Sequence, residues 1–284
     1  GSNLLFTHDF DGIILHSAER KITVVSENDV DVIIEATAGV IWDDLVTFCV
    51  DKKLGGVENL SGIPGETGAA AVQNIGAYGV EIKDVIKKVN TFDTQKLSQK
   101  EFNIDECEYG YRSSIFKKKF PGRYIITSVQ LKLSKKNEFQ LGYQHLEDVV
   151  KNYGDINLVN IRKAVLQIRN TKLPDPKIQG NAGSFFMNPV VDNNLFKELL
   201  QRYQNMPYYR ISNDKVKIPA AWLIEQCGFK GRTLGKAGVH PQHALIIVNL
   251  GKSSADDIVL LANEIIHTVK QKFNIKLRPE VIYI

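Results

Sequence analysis

The segment Gly180-Asn181-Ala182-Gly183-Ser184-Phe185-Phe186-Met187-Asn188-Pro189 has the make-up of a reactive site. Two glycines bracket two small residues, one of them polar, a hydroxyl follows the second glycine, and two aromatics anchor the segment, so backbone and Ser184 can approach a ligand closely. Ser184 then reads as a proton donor. A glycine-serine pair alone more often closes a turn or caps a helix, but three other segments keep it company. Thr171-Lys172-Leu173-Pro174-Asp175-Pro176-Lys177 is a loop stiffened by two prolines that carries two cations towards it. Tyr109-Gly110-Tyr111-Arg112-Ser113-Ser114-Ile115-Phe116 sets a guanidinium among aromatics and glycine, and a rigidly held planar donor is what a carboxylate ligand requires. Leu277-Arg278-Pro279-Glu280-Val281 leads into an apolar run whose burial in a sheet would hold Glu280 at a strand start.

A further stretch runs from Ser61 to Gly79 and reads Ser-Gly-Ile-Pro-Gly-Glu-Thr-Gly-Ala-Ala-Ala-Val-Gln-Asn-Ile-Gly-Ala-Tyr-Gly. Its five glycines and run of alanines let backbone N–H groups meet a phosphate or the edge of a flat ring without side-chain obstruction. The same composition suits a segment packed tightly against a helix. No Gly-x-Gly-x-x-Gly fingerprint occurs, so a Rossmann fold is not supported. His240-Pro241-Gln242-His243 sets two histidines three apart, yet no third ligand accompanies them and Pro241 opposes a helical face; no metal is expected.

The elements that must position these groups follow from periodicity. Short β-branched runs at 12–16, 21–27 and 29–36 read as strands. Residues 41–53 read as an amphipathic helix with Ile41, Leu45, Phe48 and Cys49 on one face, closed by Gly55-Gly56. Residues 85–92 and 124–133 alternate as strands. Asn157 can cap a helix through Arg169 with Val159, Ile161, Val165 and Ile168 inward, leading straight into the Lys172 loop. Helices at 192–203 and 219–227, a buried strand at 244–249, and a helix opened by Ser254 and Asp257 with an Ile258, Leu261, Ile265, Val269 stripe complete the second half.

With 284 residues, 43% hydrophobic and 24% charged, the chain exceeds one average domain. A formal charge of +4 suits an anionic small ligand without singling out nucleic acid. Lys117-Lys118-Lys119, the one compact basic run, reads as a solvated loop. Cys49, Cys107 and Cys227 stand at no metal or redox spacing, which implies free thiols in a reducing compartment and hence the cytoplasm. No apolar run is long enough to cross a bilayer, and no signal-peptide pattern appears.

The segments around Arg112, Lys172, Ser184 and Glu280 resemble, nearly letter for letter, the active-site segments of the UDP-N-acetylenolpyruvoylglucosamine reductase family, and the resemblance runs over almost the whole chain. Ile-Pro-Gly followed by Gln-Asn-Ile-Gly-Ala-Tyr-Gly resembles that family's flavin loop, within the vanillyl-alcohol-oxidase-like FAD domains. The implied fold is α+β: a PCMH-type FAD-binding domain over 1–140, a tyrosine-bearing loop over 141–155 and a UDP-sugar-binding domain over 156–284. In the family, Gly1 to Leu5 would end a flavin-pyrophosphate loop preceded by a small βαβ segment, so the chain is expected to be N-terminally incomplete.

The resemblance also implies chemistry. FAD would be held without a covalent bond by Gly1, Ser2, Asn3, Gly65, Gly68, Asn74, Gly76 and Tyr78, with NADPH as hydride source. The substrate would be UDP-N-acetylglucosamine enolpyruvate, reduced to UDP-N-acetylmuramate for peptidoglycan. Hydride reaches C3, Ser184 protonates C2, and Arg112 and Glu280 polarise the carboxylate. Tyr143, in Leu141-Gly142-Tyr143-Gln144-His145-Leu146, resembles the tyrosine that closes over substrate in type I enzymes. Lys172, Asn188, Tyr209, Lys217, Lys230 and His243 match positions that hold the UDP-sugar. A monomer without nucleic-acid or membrane partners is expected. Two rivals stand beside this reading: another FAD-linked oxidoreductase such as a sugar oxidase, and a non-catalytic flavin or UDP-sugar binding module. Oxidases of that kind usually carry a histidine or cysteine for covalent flavin attachment, and the glycine-rich stretch has neither.

Overall fold

The structure, a computed structural model, describes residues 1–136, 138–143 and 145–284. The chain forms two compact units, one of Ile13–Arg169 and one of Gly1–Gly12 with Asn170–Ile284. Their boundary falls in the last turn of the helix Leu158–Lys172, and the first twelve residues group with Asn170–Ile284.

The unit Ile13–Arg169 is built on a five-stranded sheet in the order Ile22–Glu27, Asp31–Thr37, Tyr124–Ser134, Ile86–Asp93, Ser98–Asn103, antiparallel throughout. Alternation does the work in Asp31–Thr37, where Val32, Ile34 and Ala36 are buried and their neighbours are not. That face shares a core with Leu45, Val46, Cys49 and Val50 of the helix Trp42–Asp51; each such side chain contributes about 1.5–3 kcal/mol on burial. Trp42 donates Nε1–H to Leu60 O at 2.9 Å and so draws the start of the glycine-rich stretch onto the helix. A smaller cluster of Leu146, Val150, Ile161, Ala164 and Val165 lies under the helices Leu146–Lys151 and Leu158–Lys172.

Three expectations need correction in this unit. Residues 12–16 form no strand; Ile13 and Leu15 are 85% and 77% exposed, because β-branching without a neighbouring strand to complete the ladder does not make a sheet. The helix begun by Asn157, whose Oδ1 accepts from Asn160 N at 2.9 Å, turns Leu158 inward and leaves Val159 exposed. The lysine run is largely helical, Ile115–Lys118, capped by Ser114. The sheet also gains a polar strand, Ser98–Asn103, in which only Phe102 is buried and whose letters carry no strand signal.

The other unit holds a four-stranded sheet in the order Thr233–Leu234, Ala237–Val239, Ile246–Asn249, Asn181–Ser184. A three-stranded sheet runs Val190–Asp192, Lys215–Lys217, Tyr209–Arg210, and Leu4–Leu5 pairs in parallel with Ile282–Tyr283. Helices Asn193–Arg202, Ala220–Gln226 and Ala255–Phe273 accompany them. The last begins with a capping box between Ser254 and Asp257 and buries Ile258, Leu261, Ile265 and Val269 as its periodicity requires. Both units mix helix and sheet, the α+β class expected. No helix among the described residues is long and apolar enough to cross a membrane.

Candidate active site

In the unit Ile13–Arg169 the alanine run of the glycine-rich stretch is not loop but a helix, Thr67–Gln73. Gly68 and Gly76 have packing reasons of their own. A Cβ on Gly68 would stand 2.8 Å from Ala38 Cβ, and one on Gly76 2.9 Å from Val80 O. Asn74, fully buried and left-handed at φ 49°, donates to Gly110 O at 2.8 Å and Glu81 Oε2 at 3.1 Å and accepts from Lys83 N at 3.2 Å. Its side chain is therefore held within the protein by three hydrogen bonds. Tyr78 at φ 48° and Gly79 at φ 83° turn the end of the stretch.

Arg112 is also left-handed, at φ 52°, a conformation that costs an L-residue roughly 1–2 kcal/mol. Its guanidinium offsets that by donating Nη2 to Gly76 O at 2.7 Å and Nη1 to Asn74 O at 3.4 Å, beside the Tyr111 ring. Ser114 Oγ adds a bond to Val72 O at 2.7 Å. The arginine and glycine-rich segments, 36 residues apart in the Arg112–Gly76 bond, thus form one structure. The Tyr143 ring meets Tyr78 edge-on at 5.9 Å; Gln144 of the same loop lies outside the described residues.

Sequence reasoning missed the residues that hold this stretch in place. Arg162 grips Asp43 with two bonds of 2.7 and 2.8 Å, and Asp43 accepts Gly62 N at 2.6 Å. Burial alone would raise the Asp43 pKa, but these bonds hold it below the ordinary carboxylate value. One helical face carries both Arg162 and Arg169, and Arg169 Nε donates to Gly62 O at 3.1 Å, so both polar groups of Gly62 are gripped. Burial lowers the Arg169 pKa and raises that of Tyr78 beside it. The seven-residue spacing of the two arginines was the signal available. A displayed backbone with left-handed turns and a half-buried guanidinium next to it fits a flat ring edged with oxygen and nitrogen acceptors, which is what a flavin presents.

In the other unit Ser184 ends the strand Asn181–Ser184, opposite Ile246, and is exposed. Gly183 before it takes φ 72°, held by its N–H donating to Asn181 Oδ1 at 2.9 Å. Buried Phe185 and Phe186 anchor the chain just beyond the serine. Phe185 N donates to Leu245 O at 2.7 Å on one side, while Glu280 N donates to Phe185 O at 2.8 Å and Met187 N to Arg278 O at 3.0 Å on the other. Ser184 and Glu280, 96 residues apart, are thereby brought onto neighbouring extended backbones. Glu280 lies two residues before the short strand Ile282–Tyr283, not at its start. Asn3 joins them, donating Nδ2 to Glu280 O at 3.1 Å and accepting from Ile282 N at 3.0 Å.

A histidine with cationic neighbours lies close by. Leu245, whose carbonyl takes Phe185 N, donates its own N–H to His243 Nδ1 at 3.3 Å. That bond leaves Nε2 as the protonated nitrogen of a neutral ring. Burial lowers the His243 pKa, and Lys172 and Lys230 lower it further against the opposing Glu225. Lys230 also pairs with Glu225 at 2.9 Å. Tyr209 and Lys217 face each other in strand register with the ammonium 5.6 Å from the ring, and Asn188 Oδ1 accepts Ala220 N at 2.8 Å at the start of the helix Ala220–Gln226. Lys172 closes its helix instead of standing in a loop. Among the described residues no group of three or more His, Cys, Asp or Glu gathers as metal ligands would.

Residues 175–284 match the profile of the UDP-N-acetylenolpyruvoylglucosamine reductase C-terminal domain, and residues 1–95 match an FAD binding domain. The chain is 46% identical over 284 residues to the UDP-N-acetylenolpyruvoylglucosamine reductase of Bacteroides fragilis, covering 100% of this chain and 85% of that one. It is 44% identical over 285 residues to that of Porphyromonas gingivalis, covering 100% and 84%. A crystal structure of UDP-N-acetylenolpyruvylglucosamine reductase from Thermus caldophilus is similar at a TM-score of 0.59 and 25% identity, covering 87% of this chain and 70% of that one. Similarity of this degree along the whole chain, with the matching FAD-binding and C-terminal domains, shows that the chain belongs to the UDP-N-acetylenolpyruvoylglucosamine reductase family.

Proposed function

We propose that the protein reduces UDP-N-acetylglucosamine enolpyruvate to UDP-N-acetylmuramate with NADPH, acting as a monomer in the cytoplasm and supplying peptidoglycan synthesis. Bound FAD would supply the hydride relay between NADPH and the enolpyruvyl carbon. The observation that carries the reading is the exposed Ser184 on a backbone directly bonded to that of Glu280, with His243 and its cationic neighbours one residue away.

Each group has a task that its chemistry suits. The planar guanidinium of Arg112, already set by Gly76 O, takes the substrate carboxylate, and Glu280 polarises it. Ser184 gives its proton to C2; a serine hydroxyl is a weak acid, and a cation such as Lys172 steadies the alkoxide left behind. Lys172, Lys230 and the Nε2–H of His243 meet the diphosphate, while Asn188, Tyr209 and Lys217 hold the rest of the UDP-sugar and Tyr143 closes over it. Gly1, Ser2, Asn3, Gly65, Gly68, Asn74, Gly76 and Tyr78 contact FAD, with the close packing of Gly68 and Gly76 and the bonds of Asn74 shaping the backbone there.

Anaerobic stopped-flow absorbance with the FAD-reconstituted protein tests this. Ser184→Ala should bleach with NADPH as the wild type does and fail to recolour on addition of the enolpyruvyl sugar. Equal loss of both steps sinks the assignment, and wild-type recolouring by oxygen alone would turn the reading towards an oxidase.

A further inference from the structure

Asn59 sits in the turn Glu58–Leu60 at 1% exposure. Both N–H groups of its amide are used: Nδ2 donates to Tyr78 O at 2.9 Å and to Gln140 O at 2.7 Å. Those two carbonyls settle which end of the amide is nitrogen, since the reverse would press an oxygen against two oxygens. Oδ1 is then buried without a hydrogen-bond partner. Folded proteins avoid such an orphan at nearly every buried acceptor, so a residue that leaves one has a geometric reason to be there. The turn that carries it is itself secured, Glu58 Oε2 accepting Gly56 N at 2.6 Å and Ser61 Oγ donating to Glu58 O at 2.6 Å.

What the amide joins is specific. Tyr78 O belongs to the left-handed end of the glycine-rich stretch, and Gln140 stands three residues before Tyr143. Tyr143 returns to the same place, its ring edge-on to Tyr78 at 5.9 Å and its Cβ 3.7 Å from where a side chain on Gly79 would begin. One buried side chain therefore ties the base of the tyrosine loop to the turn against which the tyrosine rests. We infer that Asn59 is a positioning residue for Tyr143, fixing the tyrosine loop on the cofactor-side turn so that the ring is already placed when substrate arrives. The inference rests on the reading of Tyr143 as the residue that closes over the UDP-sugar.

Asn59→Asp keeps the shape and removes both donors; Asn59→Ser, which leaves room for a water, stands in should that variant not fold. In the FAD-loaded enzyme, hydrogen exchange of the amides at 138–143 should accelerate about tenfold, the loss expected for two hydrogen bonds, while the strand Tyr124–Ser134 stays protected. KM for the enolpyruvyl sugar should rise about tenfold with flavin bleaching by NADPH unchanged, and the rise should vanish in a Tyr143→Ala background. Unchanged loop exchange in an active enzyme overturns the inference, as does a KM effect that persists without Tyr143. Faster exchange in a protein that does not turn over the enolpyruvyl sugar supports the clamp and overturns the functional reading alone.

Discussion

Gly183 offers a perturbation whose size can be worked out from the backbone. At φ 72° it occupies the left-handed region, and a Cβ there would find no heavy atom within 4 Å, so Gly183→Ala brings no clash. The cost is conformational, about 1–2 kcal/mol for an L-residue, because the Asn181 Oδ1 bond holds the turn as it is. Two places can absorb that cost. If the Phe185 and Phe186 anchors keep Ser184 still, it appears as stability, a melting temperature lower by about 2–8 °C. If the backbone relaxes, Ser184 leaves its position and kcat falls about 5- to 30-fold at 1.36 kcal/mol per decade. Calorimetry and steady-state turnover of the same preparation divide the two, and Gly183→Asn, which tolerates the left-handed region, should recover most of either loss. An alanine variant with unchanged melting and turnover, or an asparagine variant as damaged as alanine, refutes the argument.

The neutral ring of His243 gives a pH signature: its folded pKa lies below 6.5, so the stability it contributes is complete above pH 6.5 and is lost as pH falls through the lowered folded value. Urea midpoints between pH 5 and 8 should show a shallower acid loss for His243→Gln than for the wild type, and identical slopes would contradict the placement. Burial holds the Cys49 and Cys107 thiols up at about 12 each, so a maleimide at pH 7 should label Cys227 in the native protein and reach the other two only in denaturant; rapid native labelling of Cys49 would show that its core opens.

Where a residue's role is local, the sequence displays it. The Ser254–Asp257 box, the Asn157 cap and the alternation of Asp31–Thr37 each need only a few neighbouring letters, and each is present. The failures at 12–16 and Ser98–Asn103 are failures of context: Ile13-Ile14-Leu15 has strand chemistry and no partner, whereas Ser98–Asn103 has partners and little strand chemistry. In the helix Leu158–Lys172 the expected Ile161 and Val165 are inward, but Leu158 takes the place of Val159, because the two are equally apolar and only packing chooses between them. Ser184, Glu280 and Arg112 are visible as motif letters. Asn59, Asp43, Arg162 and Arg169 are not, because the first two and the last act on backbone groups distant in sequence, Arg162 acts on the Asp43 carboxylate, and no periodicity records such pairings. Gly68 and Gly76 look in the sequence like glycines kept for a ligand, whereas close contacts within the protein already require them.

The segment 185–187 is bonded on one side by Leu245 and on the other by residues 278–280, and Asn3 waits on Glu280 and Ile282. During synthesis, therefore, the strand bearing Ser184 leaves the ribosome about 5–20 s before its second neighbour is made. Until then it presents an unpaired edge beside two bare phenylalanines, a surface prone to join other chains. The strand bearing Ser184 is thus also in need of shelter while the chain is young.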